Sequence, residues 1–151
     1  MNTIPSYRDT WVEICQDAIF DNVQTFTNNL AKNTRLMAVV KADGYGHGSV
    51  EVAKTAIEAG ASYLGVAFLD EALVLRKAIS NIPILILGYT PPASIEEAIK
   101  NHITITVFSE DVLDEIIRCS KSLGVTATIH IKVDTGMGRV GVTTEEVALS
   151  L

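Results

Sequence analysis

The sequence predicts an α/β fold made of repeated strand–helix units with parallel strands. Five short apolar runs recur along the chain, at residues 36–40, 63–68, 84–87, 103–108 and 126–133. Near-continuous runs of Val, Ile and Leu of this length are typical of parallel strands, which are buried on both faces. Amphipathic stretches of helical length separate the runs. This alternation favours one parallel sheet with right-handed crossover connections.

The helices are marked by their end signals. Gly60 and Gly124 each follow an amphipathic stretch, as glycines do just beyond the last turn of a helix. Ser94 stands three residues before Glu97, which is a capping-box spacing, and Ser109 precedes two acidic residues of a first turn. We therefore predict helices that begin after Ser94 and Ser109 and helices that end before the two glycines.

Pattern alone leaves two architectures open, a doubly wound open sheet and part of a (β/α)8 TIM barrel. Thr143 and Glu146 form a further capping box, which starts a helix that reaches Leu151 after about two turns, a marginal length for an isolated helix. A (β/α)8 barrel takes roughly 250 residues, and five units fit within residues 1–151. We expect residues 1–151 to be the N-terminal part of such a barrel, from a longer protein whose remaining barrel lies outside this chain.

The fifth apolar run alternates in a way that predicts a functional face. Its Ala, Ile and Val residues at 127, 129, 131 and 133 fall on one face, and Thr, His and Lys residues at 126, 128, 130 and 132 fall on the other. In a barrel the apolar face meets the helices and the polar face meets the lumen. The first run places Lys41 at its carboxyl end, which is where barrel active sites lie. Lys41 and Lys132 are therefore expected to face one site.

Composition excludes several classes of function. The net charge of −6 and the absence of a basic stripe argue against nucleic-acid binding. The two cysteines match no metal spacing, and we expect no metal site and a reducing, cytoplasmic setting. No apolar run reaches the roughly 18 residues of a membrane helix, and the N-terminus lacks a signal-peptide core.

The chemistry of Lys41 suggests a cofactor. Burial of an ionised lysine is costly, whereas a neutral amine attacks carbonyl groups and forms Schiff bases. The segment after it, ADGYGHG, has few side chains, so that its backbone N–H groups can approach a phosphate. A lysine beside such a turn fits pyridoxal phosphate better than a nucleotide, since no nucleotide-binding glycine motif is present. The alternative is an ordinary solvated lysine at a strand end.

Two longer motifs carry a family resemblance. The segment MAVVKADGYGHG (37–48) resembles the cofactor-lysine motif of the alanine racemase family, and KVDTGMGRVG (132–141) resembles the second signature of that family. Weaker likenesses span the rest of the chain in the same order. The resemblance implies a pyridoxal 5′-phosphate enzyme of fold type III that interconverts L- and D-alanine, and so supplies D-alanine for peptidoglycan in the bacterial cell wall.

The resemblance also implies roles for individual residues. Lys41 is expected to hold pyridoxal phosphate and, once freed by the substrate, to act as the base toward the α-proton of D-alanine. Tyr45 is expected to bind the cofactor phosphate, and Leu87 to line the cofactor pocket. Arg139 is expected to bind the phenolic oxygen of the cofactor and to place the substrate carboxylate. Lys132 matches a position that is often carbamylated in the family.

The resemblance implies that the rest of the barrel and a C-terminal β domain, which carry other parts of the site, lie outside this chain. The family's second base is a tyrosine of the C-terminal domain that enters the partner subunit's site, so we expect a homodimer and expect residues 1–151 alone to be inactive. Racemases of serine or of several amino acids share both motifs, and the residues that select the substrate lie elsewhere. A noncatalytic pyridoxal-phosphate-binding barrel is a further alternative, which the second signature disfavours.

Overall fold

The described part of the chain, residues 7 and 9–150 of a computed structural model, contains one parallel five-stranded sheet. The strands stand in the sheet in the order of the sequence, each beside the next. A doubly wound sheet changes direction at a switch point, whereas a (β/α)8 barrel adds strands in sequence. The observed order confirms the barrel architecture. The strands are β1 (Met37–Val39), β2 (Tyr63–Val66), β3 (Ile84–Ile86), β4 (Thr104–Val107) and β5 (Ile129–Ile131).

Helices connect the strands and cover one face of the sheet. A first helix precedes β1, and a short helical turn follows that strand directly. A 3-10 turn, Pro92–Ser94, leads into the helix between β3 and β4. The helical elements are α1 (Gln16–Asn29), α2 (Lys41–Gly46), α3 (Ser49–Glu58), α4 (Leu69–Ala78), α5 (Ile95–Lys100), α6 (Glu110–Leu123) and α7 (Glu145–Ser150).

The core lies between the sheet and the helices. The strand residues that face the helices are aligned by the register, which pairs Leu64 with Ile84 and Ile86 with Ile105. Their side chains are fully buried, and on the helix side Leu75 and Ile95 are buried against the same cluster. Burial of this apolar surface is the main stabilising contribution to the fold.

The opposite face of the sheet, here called the inner face, changes from apolar to polar across the strands. Its residues share a face by register and are Met37, Val39, Tyr63, Gly65, Leu85, Thr104, Thr106, Thr128 and His130. The hydroxyl of Tyr63 donates to Oγ1 of Thr104 at 2.9 Å. The ring of His130 lies 5.9 Å from that of Tyr63. The alternation predicted for the fifth strand is therefore confirmed, since Ile129 faces the helices and His130 faces inward.

The helices end at the predicted glycines and begin after Ser94 and Ser109 as predicted, but the two serines make no side-chain cap bonds. Gly124 has the left-handed backbone of a C-cap, and Gly60 follows α3 with φ of 109°. Ser94 and Ser109 precede their helices without a side-chain cap bond, so the capping-box interpretation of Ser94 was wrong. In the last helix the N–H of Val147 donates to Oγ1 of Thr144, so Thr144 caps this helix in place of the predicted Thr143.

Two further sequence expectations concern the cysteines and membrane helices. Both cysteines are free, with Cys15 exposed and Cys119 buried in α6. Among residues 7 and 9–150, no helix has the length and apolarity that crossing a membrane requires.

Candidate active site

The predicted site residues lie at the carboxyl edge of the sheet. Parallel strands bring their carboxyl ends to the same edge, and barrel enzymes build their sites there. Lys41 comes two residues after β1 ends, Leu87 directly after β3 ends, and Lys132 directly after β5 ends. An open cavity of about 710 Å³ lies at the opposite edge of the sheet, where Ser62 and Pro83 directly precede β2 and β3. That cavity is at the wrong end of the strands for catalysis.

Lys41 and Tyr45 lie next to each other at the end of β1. The Nζ atom of Lys41 is 6.0 Å from the centroid of the Tyr45 ring, at the outer limit of a cation–π contact. Lys41 is half-buried, while Tyr45 is 59% exposed and its phenol is accessible. An amine and a phenol on one short turn can engage two parts of the same ligand.

The turn α2 has an unusual backbone that sets this geometry. Residues 42–45 are all left-handed, with φ of 50° at Ala42, 53° at Asp43, 62° at Gly44 and 55° at Tyr45. For residues other than glycine this conformation costs about 1–2 kcal/mol each, so the surrounding structure must hold it in place. Such a concentration of backbone strain is typical of functional sites.

Side chains on both sides of the turn stabilise it. Nδ1 of His47 lies 3.0 Å from the carbonyl oxygens of Gly44 and Tyr45. Oδ1 of Asp43 accepts the N–H of Ser49 at 2.8 Å, at the start of α3. Asp43 therefore supports the first turn of α3, and His47 supports the turn that precedes it.

Relief of the strain at Ala42 gives a testable prediction. We expect Ala42→Gly to stabilise the protein by about 0.5–1 kcal/mol, because glycine avoids the left-handed penalty and loses only part of the gain to chain entropy. The matched control is Ala18→Gly in the right-handed helix α1, which should destabilise by about 0.5–1 kcal/mol. Urea unfolding measures both. Two changes of the same sign would contradict the strain at Ala42.

Apolar side chains form a floor beside Lys41. Gly65 on β2 is surrounded by Met37, Val39 and Leu87, and a Cβ at this position would lie 3.1 Å from the Met37 sulfur and 3.3 Å from Cδ1 of Leu87. Gly88 follows Leu87 and passes so close to β2 that a Cβ there would lie 2.5 Å from the carbonyl oxygen of Ala67. The two glycines let Leu87 approach the end of β1.

The second signature forms a closed loop after β5. The carboxylate of Asp134 accepts the N–H groups of Gly136, Gly138 and Arg139 at 2.9, 3.1 and 3.0 Å. The N–H of Val142 returns to the Lys132 carbonyl at 2.9 Å and closes the loop. One carboxylate thus fixes the backbone that carries Arg139.

These N–H groups also determine how the loop responds to acid. Those of Gly136 and Gly138 hold the pKa of the Asp134 carboxyl below its ordinary value. An unfolded-state pKa of about 3.9 then means that the stabilisation of the loop is complete above this pH and is lost as the pH falls through the lower, folded-state pKa.

We expect the amide shifts of Gly136 and Arg139 to titrate together below pH of about 3.9. The measurement is an acid titration followed by NMR, with Asp134→Asn as the control that should abolish the titration. A midpoint at or above the ordinary value would contradict this assignment of the Asp134 contacts.

Lys132 and Arg139 line one small cavity at this loop. The cavity has a volume of about 180 Å³ and is also lined by Asp134 and Met137. Lys132 is half-buried and Arg139 is exposed. A guanidinium group presents a planar fork of donors that suits a carboxylate or another oxygen anion. The cavity can therefore take an anionic group between these two side chains.

The structure brings the predicted residues together as two pairs and a single residue. Lys41 and Tyr45 lie at β1, Lys132 and Arg139 lie at β5, and Leu87 lies at β3 between them. Four strand spacings separate the pairs, which is roughly 19 Å along the sheet. Among the described residues, no group of three or more His, Cys, Asp or Glu side chains is placed to hold a metal ion.

Two acidic residues at the carboxyl edge of the sheet, Asp134 and Glu71, were not predicted from the sequence as site residues. Asp134 carried a detectable signal, since an aspartate two residues before a glycine is typical of an Asx turn. Glu71 accepts the N–H of Ala42 across 29 residues of sequence, and local pattern gives no signal for such a contact.

Comparison with known proteins gives a consistent set of relatives. The family described as alanine racemase, N-terminal domain, matches residues 14–151. Alanine racemase 1 of Oceanobacillus iheyensis is 52% identical over 98% of this chain, and the alanine racemase of Geobacillus stearothermophilus is 51% identical over 93%. The chain spans only 39% and 36% of the lengths of these two proteins.

Solved structures show the same likeness in three dimensions. The alanine racemase of Bacillus anthracis, crystallised with bound L-Ala-P, matches 97% of this chain and 38% of its own with a TM-score of 0.89 and 46% identity. The histidine racemase of Leuconostoc mesenteroides matches 89% of this chain and 36% of its own with a TM-score of 0.82 and 32% identity.

Proposed function

The chain belongs to the alanine racemase family, within its N-terminal domain, and from this premise we propose that the whole protein interconverts L-alanine and D-alanine with pyridoxal phosphate. The observation that carries the proposal is the position of Lys41, half-buried at the carboxyl end of β1 with its amine over the Tyr45 ring. A lysine held at this edge suits Schiff-base chemistry.

The residues present fit the proposed cofactor. An amine is required for its aldehyde, and Lys41 supplies one. A hydrogen-bond donor is required for its phosphate, and the exposed phenol of Tyr45 can serve. An apolar surface is required beside its ring, and Leu87 with the side chains around Gly65 offers one. When bound, pyridoxal phosphate supplies the electron sink for charge left on the substrate α-carbon.

The chain's own residues then perform binding and proton transfer. The Nζ atom of Lys41 would anchor the cofactor and, when free, take the α-proton of D-alanine; in the opposite direction it would deliver a proton to that same face of the α-carbon of L-alanine. Tyr45 donates to the phosphate. Arg139 donates to the phenolic oxygen of the cofactor and orients the substrate carboxylate, and the Asp134 contacts hold its backbone in place.

We further propose that Lys132 is carbamylated. Carbon dioxide would add to its neutral amine with loss of a proton and so place an anion beside Arg139 in their shared cavity. That pairing offsets the cost of a half-buried lysine next to a guanidinium group. Carbon-13 NMR of the protein in labelled bicarbonate tests the modification, and the absence of a carbamate signal from Lys132 would exclude it.

Racemisation by the whole protein requires a second base that residues 1–151 do not supply. Racemisation needs a proton moved on each face of the α-carbon, and Lys41 serves one face. We propose that a tyrosine from a C-terminal β domain of the partner subunit serves the other in a homodimer, and that residues 1–151 alone do not racemise alanine. L-to-D conversion by the purified 151-residue chain would refute the last point.

For the location of the enzyme and the use of its product, we propose what is usual in the alanine racemase family. The enzyme is cytoplasmic and supplies D-alanine for peptidoglycan, and residues 1–151 form the N-terminal part of its barrel. The chain spans less than two fifths of its curated relatives, which supports a larger protein of this kind. Growth of a D-alanine auxotroph on expression of the whole protein is the expected outcome, and continued dependence on added D-alanine would contradict it.

A racemase of another amino acid is the second candidate. The histidine racemase among the structural matches shares 32% identity and a closely similar fold over this portion. The portion of the barrel described here therefore supports the reaction class more strongly than it supports the substrate.

The decisive experiment supplies the whole protein and pyridoxal phosphate with single L-amino acids and separates the products on a chiral column. We expect L-alanine to reach equal amounts of both enantiomers, with serine and histidine converted far more slowly. Faster conversion of either of these would favour the second candidate. A cofactor linked to Lys41 without any conversion would indicate a noncatalytic binding protein.

A further inference from the structure

One carboxylate, that of Glu71, links the ends of the first two strands. Its Oε1 accepts the N–H of Ala42 at 2.7 Å, and its Oε2 accepts the N–H groups of Ala67 at 2.7 Å and Phe68 at 3.2 Å. Ala42 directly follows Lys41, and Ala67 directly follows β2. Glu71 lies half-buried in the first turn of α4. A single side chain therefore holds two strand ends at the carboxyl edge.

Capping of α4 explains only part of this arrangement. A glutamate at the third helical position commonly returns to the N–H at the helix start, and the contact with Phe68 is of this kind. That contact is the longest of the three. The two shorter bonds go to N–H groups outside the first turn, and hydrogen bonds to an ionised carboxylate are the stronger kind. The geometry is thus directed at Ala42 and Ala67 rather than at the helix alone.

The contact at Ala42 occurs where the backbone most needs support. Ala42 is the first of the four left-handed residues, and a return to a right-handed or extended backbone is favoured by about 1–2 kcal/mol per residue that is not glycine. A change of φ at Ala42 would rotate the Lys41 backbone relative to the floor around Gly65. It would also separate the Lys41 amine from the Tyr45 ring.

We propose that Glu71 is a positioning residue for Lys41. It fixes the backbone of the lysine against the end of β2, so that the amine stays beside the Tyr45 ring at the carboxyl edge, where it can react with an aldehyde. This inference rests on the proposed role of Lys41 as the cofactor-bearing lysine. Glu71 acts through the backbone of Ala42 and touches neither substrate nor cofactor.

The test compares Glu71→Gln with Asp70→Asn in the whole protein. Asp70 is the exposed neighbour of Glu71 in the same first turn, so its variant removes the same charge at the same helix end. The amide of the glutamine variant keeps one acceptor and turns a donor toward the other N–H groups. The readouts are the rate at which Lys41 captures pyridoxal phosphate, trapped by borohydride, together with kcat, KM and Tm.

We expect Glu71→Gln to slow capture at Lys41 and to lower kcat by about 10–100-fold, because small misplacements of a reacting group cost rate on this scale. KM should change little, since Arg139 and its loop are untouched. Asp70→Asn should match the wild type in both rates. A merely structural role for Glu71 would lower Tm and the fraction of protein that captures cofactor, but not the capture rate of the folded molecules.

Cofactor capture by the wild type and by Glu71→Gln tests the role of Glu71 separately from the role of Lys41. If the wild type captures cofactor at Lys41 and Glu71→Gln does so at the same rate, the positioning role is wrong and the function stands. If the wild type captures none at Lys41, the proposed function fails. Should Glu71→Gln not fold, Glu71→Asp decides, because its carboxylate is too short to reach both strand ends. A wild-type capture rate in that variant would overturn the role.

Discussion

Replacement of Lys41 by alanine is expected to abolish racemisation by the whole protein. The substitution removes the amine that we propose both to anchor pyridoxal phosphate and to act as the base for the α-proton of D-alanine. General acid–base catalysis alone contributes about 10²–10⁴-fold, so we expect kcat/KM to fall by at least about 10³-fold. Chiral separation of alanine after incubation with saturating cofactor measures the loss.

Two further variants separate the chemistry from the charge. Lys41→Arg keeps the positive charge at the end of β1 but offers no nucleophilic amine, and we expect it to be as inactive as the alanine variant. Lys54→Ala removes an exposed lysine of α3 that pairs with Glu51, and its activity should equal that of the wild type. Near-normal racemisation by either Lys41 variant would remove Lys41 from the mechanism.

Replacement of Gly141 by alanine is expected to disrupt the loop that carries Arg139. Gly141 has φ of 133°, and a Cβ there would lie 2.7 Å from the Asp134 nitrogen and 3.1 Å from the Lys132 carbonyl oxygen. These are backbone atoms of the segment directly after β5, where the loop closes, so neither can move aside without opening the loop. We expect faster amide exchange at Asp134 and Val142 and a loss of racemase activity of about 10²-fold, since Arg139 is displaced.

Gly136 supplies the matched control for this change. Its φ of 132° is almost the same, but nothing lies within 4 Å of a Cβ at that position. Gly136→Ala therefore introduces only backbone strain, which destabilises the folded protein by about 1–3 kcal/mol. Gly141→Ala introduces the steric clash as well. Equal amide exchange at Asp134 and Val142 in the two variants would show that the close approach of Gly141 is unimportant.

The elements set by local pattern were predictable from the sequence. The five apolar runs each contain a strand, and the alternation of the fifth run correctly separated Ile129 from His130. Gly124 ends α6 as expected, because a left-handed C-cap needs only its own backbone freedom. The position of Lys41 at a carboxyl strand end followed from the same reasoning, since the strand period fixes where the run stops.

The features set by contacts between distant residues were not predictable in this way. The glycines of residues 44–48 indicated a turn, but not four consecutive left-handed residues, since Ala42 and Tyr45 adopt that backbone against their own preference. The bond from Ala42 to Glu71 joins two strand ends that only the folded sheet brings together. Ser94 and Ser109 each stand directly before a helix as predicted, but neither hydroxyl bonds to it. Ser94 ends a 3-10 turn and has a right-handed backbone, whereas a capping residue needs an extended one.

The most direct test of Lys41 as the cofactor-bearing residue is chemical trapping. Pyridoxal phosphate is added to the whole protein, the mixture is reduced with borohydride, and the modified residue is located by mass spectrometry, with Lys41→Ala treated in parallel. We predict one modified residue, Lys41, and no labelling of the variant. Labelling spread over other lysines, or equal labelling of the variant, would contradict the proposed site.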